Sequence, residues 1–343
     1  MADFKFGCLP TVIGSMPHTD AGAACSLLTR FLKDIPAWPQ LPNRSFLENM
    51  YVQYSQGFPG VVVEADRIYV DRSQDLDKPL EQLYAAYLED DVNAYTISPD
   101  YAAGLHAFLN REGLSPRAVK GQITGPVTWG LTVTDDQRRA VLYDDVLGDA
   151  VARLLKLKAA WMERELSRIS RNTIIFVDEP YLQSYGSSSL VSLTREKVVN
   201  LLEEVFSGIR GLKGVHCCGN TDWSMLLGTS ANIVSFDTYN YAQSLSLYPA
   251  EVRTFLGRGG VVAWGIVPNE TETLAAETVA SLKDRLEEAM APFTRNGVPF
   301  KQLIEQGLLT PSCGLAGLGT EDAVVRALEL LTGLSAEIRK RYL

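Results

Sequence analysis

One unit recurs along the 343 residues: a short apolar or β-branched run, a loop, then a longer helical pattern. The runs are continuous rather than alternating, as in Val61-Val62-Val63 and Thr173-Ile174-Ile175-Phe176-Val177. Strands buried on both faces, in a parallel sheet covered by helices, read this way. The expected strands are Thr11–Ile13, Gly60–Glu64, Ala118–Ile123, Thr173–Val177, Gly214–Cys217, Ile233–Phe236, Gly260–Trp264 and Leu308–Pro311. Helical spacing fills the stretches between them, from Ala23–Leu32 to Thr320–Tyr342. An open doubly wound sheet should show G-x-G-x-x-G after its first strand. Here that strand runs into Ile13-Gly14-Ser15-Met16-Pro17, which cannot form that turn. The expectation is an α/β chain folded as a single-domain (β/α)8 TIM barrel spanning residues 1–343.

Composition narrows the function. Hydrophobic residues make up 46% and charged residues 21%, which excludes a disordered chain. The net charge of −9 argues against nucleic acid and against anionic membranes as partners. No apolar run reaches the roughly 18 residues of a membrane span. The start, Met1-Ala2-Asp3-Phe4-Lys5, lacks the shape of a signal peptide, so a cytoplasmic location is expected. In a reducing compartment the cysteines Cys8, Cys25, Cys217, Cys218 and Cys313 point to metal binding or catalysis rather than disulfides.

In such a barrel chemistry gathers at the C-terminal ends of the strands. The unusual residues fall there: Gly14-Ser15, Glu64, Gly125-Pro126, Asp178-Glu179, His216-Cys217-Cys218, Asp237 and Cys313-Gly314. Alternate residues of a strand face the same way, so His216 and Cys218 can aim at one point while Cys217 faces away. With Cys313, and with Asp237 as a fourth candidate, they form a possible metal set. Two thiolates and an imidazole favour zinc. The competing reading is small buried cysteines and a satisfied core histidine, the role expected of Cys8 and Cys25. Glu64 and Asp178 are candidates to hold a substrate amine. Gly14, Ser15 and Gly125 are candidates to offer backbone N–H groups to a substrate carboxylate.

The order Ile13-Gly14-Ser15-Met16-Pro17, Thr124-Gly125-Pro126-Val127-Thr128, Val177-Asp178-Glu179-Pro180, His216-Cys217-Cys218 and Pro311-Ser312-Cys313-Gly314 resembles the catalytic barrel of cobalamin-independent methionine synthase. The likeness runs from about residue 10 to 320. It implies a zinc ion that binds a thiol, typically homocysteine, as thiolate, with His216, Cys218 and Cys313 as ligands. Asp237 stands where the family has a Glu ligand, one methylene longer. Gly14-Ser15, Glu64 and Asp178 fall where the family binds the carboxylate and amine of homocysteine. Two features depart from the family. No additional N-terminal barrel is present in this sequence. The loop Gly265-Ile266-Val267-Pro268-Asn269-Glu270-Thr271 lacks the histidine thought to protonate the departing folate. Co(I) leaves without protonation, so the expected methyl donor is a methylcorrinoid, held by a corrinoid protein as partner, rather than methyltetrahydrofolate. The alternatives are a metal-free enzyme similar to uroporphyrinogen decarboxylase, a methyltransferase to another thiol such as coenzyme M, and a non-catalytic corrinoid- or zinc-binding protein.

Overall fold

The computed structural model describes residues 5–190 and 192–343. Its strands are β1 (Leu9–Pro10), β2 (Val61–Glu64), β3 (Arg67–Val70), β4 (Val119–Thr124), β5 (Thr134–Asp135), β6 (Thr173–Asp178), β7 (Leu212–Cys217), β8 (Ile233–Phe236), β9 (Val261–Val267) and β10 (Gly307–Pro311). Seven of them form one parallel sheet in the order β1-β10-β9-β8-β7-β6-β4. Helices pack outside this curled sheet, the longest being Asp145–Leu166 and Glu321–Tyr342. Thr320 caps the latter by accepting from Ala323 N–H, as its sequence suggests. After β9 the chain forms two helices in succession, Thr271–Ala276 and Val279–Arg295. Helix Ala103–Leu109 begins without a side-chain cap.

The sheet encloses an apolar floor. Leu9, Ile35, Ala118, Ile174, Phe176, Ile233, Val261, Ala263 and Leu308 form one buried cluster. Side chains of a strand alternate between faces. Ile174 and Phe176 therefore share the inner face with Asp178, and the other face of each strand meets the helices.

The expected second stave, Gly60–Glu64, is not part of this sheet. Val61–Glu64 turns at Ala65-Asp66 and pairs antiparallel with Arg67–Val70, and β3 then pairs with β5 in a separate three-stranded sheet. Ala65 takes φ +46°, the left-handed geometry of a tight hairpin. A strand that returns at once on itself cannot be the parallel stave of a β-helix-β unit.

Between the edge strands β1 and β4 lies instead the extended segment 34–40. It makes isolated parallel bridges on both sides, Gln40 to Ser15 and Ala37 to Lys120. Ala118 N–H donates to Asp34 O and Lys120 N–H to Pro36 O; Gln40 N–H donates to Gly14 O. Pro36 and Pro39 have no N–H to give, so the ladder stays incomplete and no regular strand forms. Helix Ala103–Leu109 backs this segment, and its Gly104 sits so close that a Cβ would collide with the Pro39 carbonyl. Gly104→Ala should therefore destabilise the protein by about 1–3 kcal/mol. Urea unfolding checks this, and an unchanged midpoint would show that the seam can yield.

Candidate metal centre

Parallel register carries the site residues to one end of the curl. Asp178 of β6 pairs with His216 of β7, and His216 with Ser235 of β8. Cys218 follows β7 by one residue, and Cys313 follows β10 by two. The ligand atoms of His216, Cys218 and Cys313 all lie within 4.8 Å of one another. The imidazole is buried. Its Nδ1 meets Ser235 Oγ at 3.0 Å, while Nε2 has no partner. A buried ring nitrogen without a partner, with the other nitrogen held, is how a metal-binding histidine is presented. Cys217 points away, is fully buried and has its thiol pushed up to about 12 by burial. Cys8 and Cys25 are buried likewise, and burial raises both to about 12.

The two clustered thiols differ. A hydrogen bond from Cys313 holds Cys218 down to about 4, against the opposing effect of burial and with help from His216. Cys313 is raised in return, first by that bond and then by burial. One thiol of the pair is thus set to be an anion, the form that binds metals.

These groups line a cleft of about 320 Å³ together with Ser15, Gln40, Glu48, Tyr51 and Asp178. Ile13, Pro42, Met50 and Pro180 add apolar wall. Asp178 is buried and its Oδ1 has no partner. Burial raises it to about 6, while the charges of His216 and Lys120 oppose that rise. Gly14 takes φ +149° and a Cβ there would collide with Gln122, so glycine lets Ser15 turn into the cleft. Ser15 lies against Gly314 and its carbonyl accepts from Leu315 N–H, tying it to the Cys313 loop.

Other expected site residues stand elsewhere. Glu64 is exposed on the β2–β3 hairpin, where it accepts from the Tyr69 hydroxyl at 3.4 Å, because its strand is not a stave. The carboxylate it was expected to provide comes instead from Glu48, in the short 3-10 turn Phe46–Glu48 after segment 34–40. Glu48 is buried, bonded to Arg44 at 2.7 Å, and raised by burial. The Gly125 N–H is already donated to the Asp178 carbonyl. Its missing Cβ makes room for Glu179, which accepts from Val127 and Thr128 N–H at the start of helix Pro126–Thr132. Burial raises Glu179 to about 7. Asp237 is buried but outside the clustered ligand atoms. It caps helix Thr238–Ser246, both its oxygens accepting from Asn240. Trp38, Trp129, Trp223 and Trp264 are core residues, fully buried. Among the described residues no helix is long and apolar enough to cross a membrane.

No family model and no curated protein matches the chain. Solved structures do. A methyltransferase from Methanosarcina mazei aligns over 99% of this chain and 95% of its own, with a TM-score of 0.59 at 14% identity. A protein from Listeria monocytogenes, described as a candidate vitamin-B12-independent methionine synthase, aligns over 93% of this chain and 86% of its own, with a TM-score of 0.57 at 15% identity. The chain shares their fold.

In metal-free protein, iodoacetamide should label Cys218 first. The rate should stay level between about pH 6 and 8, because a thiol held down to about 4 is already thiolate there. Peptide mass mapping checks it; a rate climbing about tenfold per pH unit would mean an ordinary thiol.

Proposed function

We propose that the chain is a zinc-dependent methyltransferase that moves a methyl group to a thiol, with homocysteine as the acceptor and methionine as the product. The observation that carries this is the convergence of His216, Cys218 and Cys313, with a buried Nε2 that faces the two thiols and has no nitrogen or oxygen partner among the described residues. The donor set is soft and nitrogen-containing, which suits zinc among the common divalent ions. On this reading the curled sheet is a (β/α)8 barrel whose second stave is segment 34–40, and the cleft is at its catalytic mouth.

His216 Nε2, Cys218 Sγ and Cys313 Sγ would hold the ion, and Ser235 keeps the imidazole oriented through Nδ1. Bound zinc supplies the positive charge that keeps a substrate thiol ionised at neutral pH. Three protein ligands leave a position for that thiol. Asp178 receives the substrate amine on the carboxylate it turns to the cleft, and Glu48 contributes a second carboxylate to the same cleft. Ser15 faces the substrate carboxylate. Among the described residues the side chains lining the cleft include no Lys or Arg, which disfavours an acidic tetrapyrrole with its several carboxylates, and the two carboxylates favour an acceptor with an amine over coenzyme M. Apolar walls from Met50, Tyr51 and Pro180 exclude water and hold sulfur and methyl carbon in line.

A methylcorrinoid, carried by a partner protein, is the proposed donor. The loop after β9 offers Asn269 rather than a proton donor. Its amide donates to Gly314 O and accepts from Ser312, so it serves to pin the Cys313 loop.

Protein purified without added metal should carry about one zinc per chain by elemental analysis, and Cys313→Ser should lose zinc and methyl transfer together. Methylcobalamin should methylate homocysteine where methyltetrahydrofolate does not. A Cys313→Ser protein with full zinc and full rate sinks the ligand assignment. Efficient turnover with methyltetrahydrofolate alone sinks the donor assignment.

A further inference from the structure

Beneath the cleft, inside the curl, lies a buried charged side chain that does not line it. Lys120, on β4, is fully buried. Its ammonium donates to the Ile13 carbonyl at 2.7 Å and to Gln122 Oε1 at 3.2 Å, and stands 4.4 Å from the centre of the Phe176 ring. A buried ammonium is costly unless its surroundings compensate it. Here two oxygens, an aromatic face and the charge of Asp178 do so. Burial still pulls it down to about 7.

Its position is informative twice over. Ile13 belongs to the exit of β1 and Lys120 to β4, the two edges of the sheet that segment 34–40 separates. With Pro36 and Pro39 unable to donate, that seam has few ladder bonds, and the Lys120–Ile13 bond spans it directly. The residues after Ile13 are Gly14 and Ser15, so the bond anchors the turn that brings Ser15 to the cleft. Phe176, under the ammonium, is two residues before Asp178 on the same inward face. Ammonium, ring and carboxylate therefore lie along one side of the interior, with the positive charge beneath the cleft.

We propose that Lys120 is a positioning residue of the cleft: it straps the Ile13-Gly14-Ser15 turn across the seam and stands as the counter-charge beneath Asp178, leaving the cleft face of the Asp178 carboxylate to a substrate cation. The strap is independent of the assigned reaction; the substrate cation rests on the function proposed above.

Lys120→Met and Lys120→Arg test both parts. Zinc content should not change, since neither variant touches the three ligands. In Lys120→Met, amide hydrogen exchange at Met16 and Gln40, whose N–H groups bridge the seam, should speed up about tenfold or more while β7 and β8 keep their protection. The KM for homocysteine should rise about tenfold or more with kcat little changed, whereas the KM for 4-mercaptobutyrate, which lacks the amine but keeps the carboxylate facing Ser15, should rise by a clearly smaller factor. Lys120→Arg should restore part of the homocysteine KM. Unchanged exchange at Met16 and Gln40 in folded Lys120→Met overturns the strap. An equal loss for both thiols overturns the counter-charge role. If the wild type itself does not prefer homocysteine to 4-mercaptobutyrate, the amine reading fails and the strap is judged on exchange alone. Should Lys120→Met not fold, the lysine 15Nζ spectrum of the wild type decides. A slowly exchanging ammonium coupled to the Ile13 carbonyl supports the strap, and a freely exchanging one overturns it.

Discussion

Hydrogen-bonded parallel strands lie about 4.8 Å apart, and alternate residues share a face. Those two spacings settle what can meet at the end of the curl. Asp178, His216 and Ser235 are register partners on three successive strands. A carboxylate, an imidazole and a hydroxyl therefore arrive at one level without any loop having to place them. The next partner along β8–β9 is Ala263, a small side chain that leaves space. Cys313 comes from the sheet's far side. The register irregularity between Thr310 and Pro311 is the last adjustment of β10 before the chain turns toward it. A one-residue slip anywhere in this ladder would send His216 to the helix side and Cys217 inward.

Below that level the interior changes character with depth. The floor is aliphatic and aromatic, with Ile35 from the irregular segment closing the gap that a regular strand would fill. Above it come Lys120 and Gln122, bonded to each other and to carbonyls of the β1 exit and segment 34–40. Gln122 donates to Trp38 O and Tyr54 donates to Gln122 O, so side chains supply bonds that the prolines deny to the backbone. Only above this polar layer does the cleft open. The network thus ties segment 34–40 to the β1 exit and to β4, and it also underlies the cleft.

Why some of this is legible in the sequence and some is not follows from the same facts. His216-Cys217-Cys218 stands out because two metal-binding types share one strand end, and alternation then separates Cys218 from Cys217. Asp178 stands out because a carboxylate ends an otherwise apolar run. Glu48 is hidden: it follows a segment whose prolines disguise it as loop, and Val61–Glu64 presents a better strand pattern nearby. That pattern is real, but the Ala65-Asp66 turn sends it into a hairpin. Gly125 misleads for another reason, since its N–H and its empty Cβ position serve Asp178 and Glu179 within the fold. Lys120 gives no signal at all, because one lysine inside a strand reads as an exposed position.

Asp237 illustrates how one residue type can serve two roles at one place. An aspartate after a strand and before a helix is the preferred N-cap, and here both oxygens are spent on Asn240. Recruiting it to a metal would leave the first turn of helix Thr238–Ser246 without its cap, a loss of about 1 kcal/mol. A glutamate reaches further and caps helices less well. On the proposed reading the shorter side chain would leave zinc a three-residue shell, with Asp237 supporting the loop rather than binding. On the proposed reading that has a consequence for the acceptor. A shell with no carboxylate leaves its fourth position to the substrate thiol without a protein group to displace, and places the whole burden of amine recognition on Asp178 and Glu48.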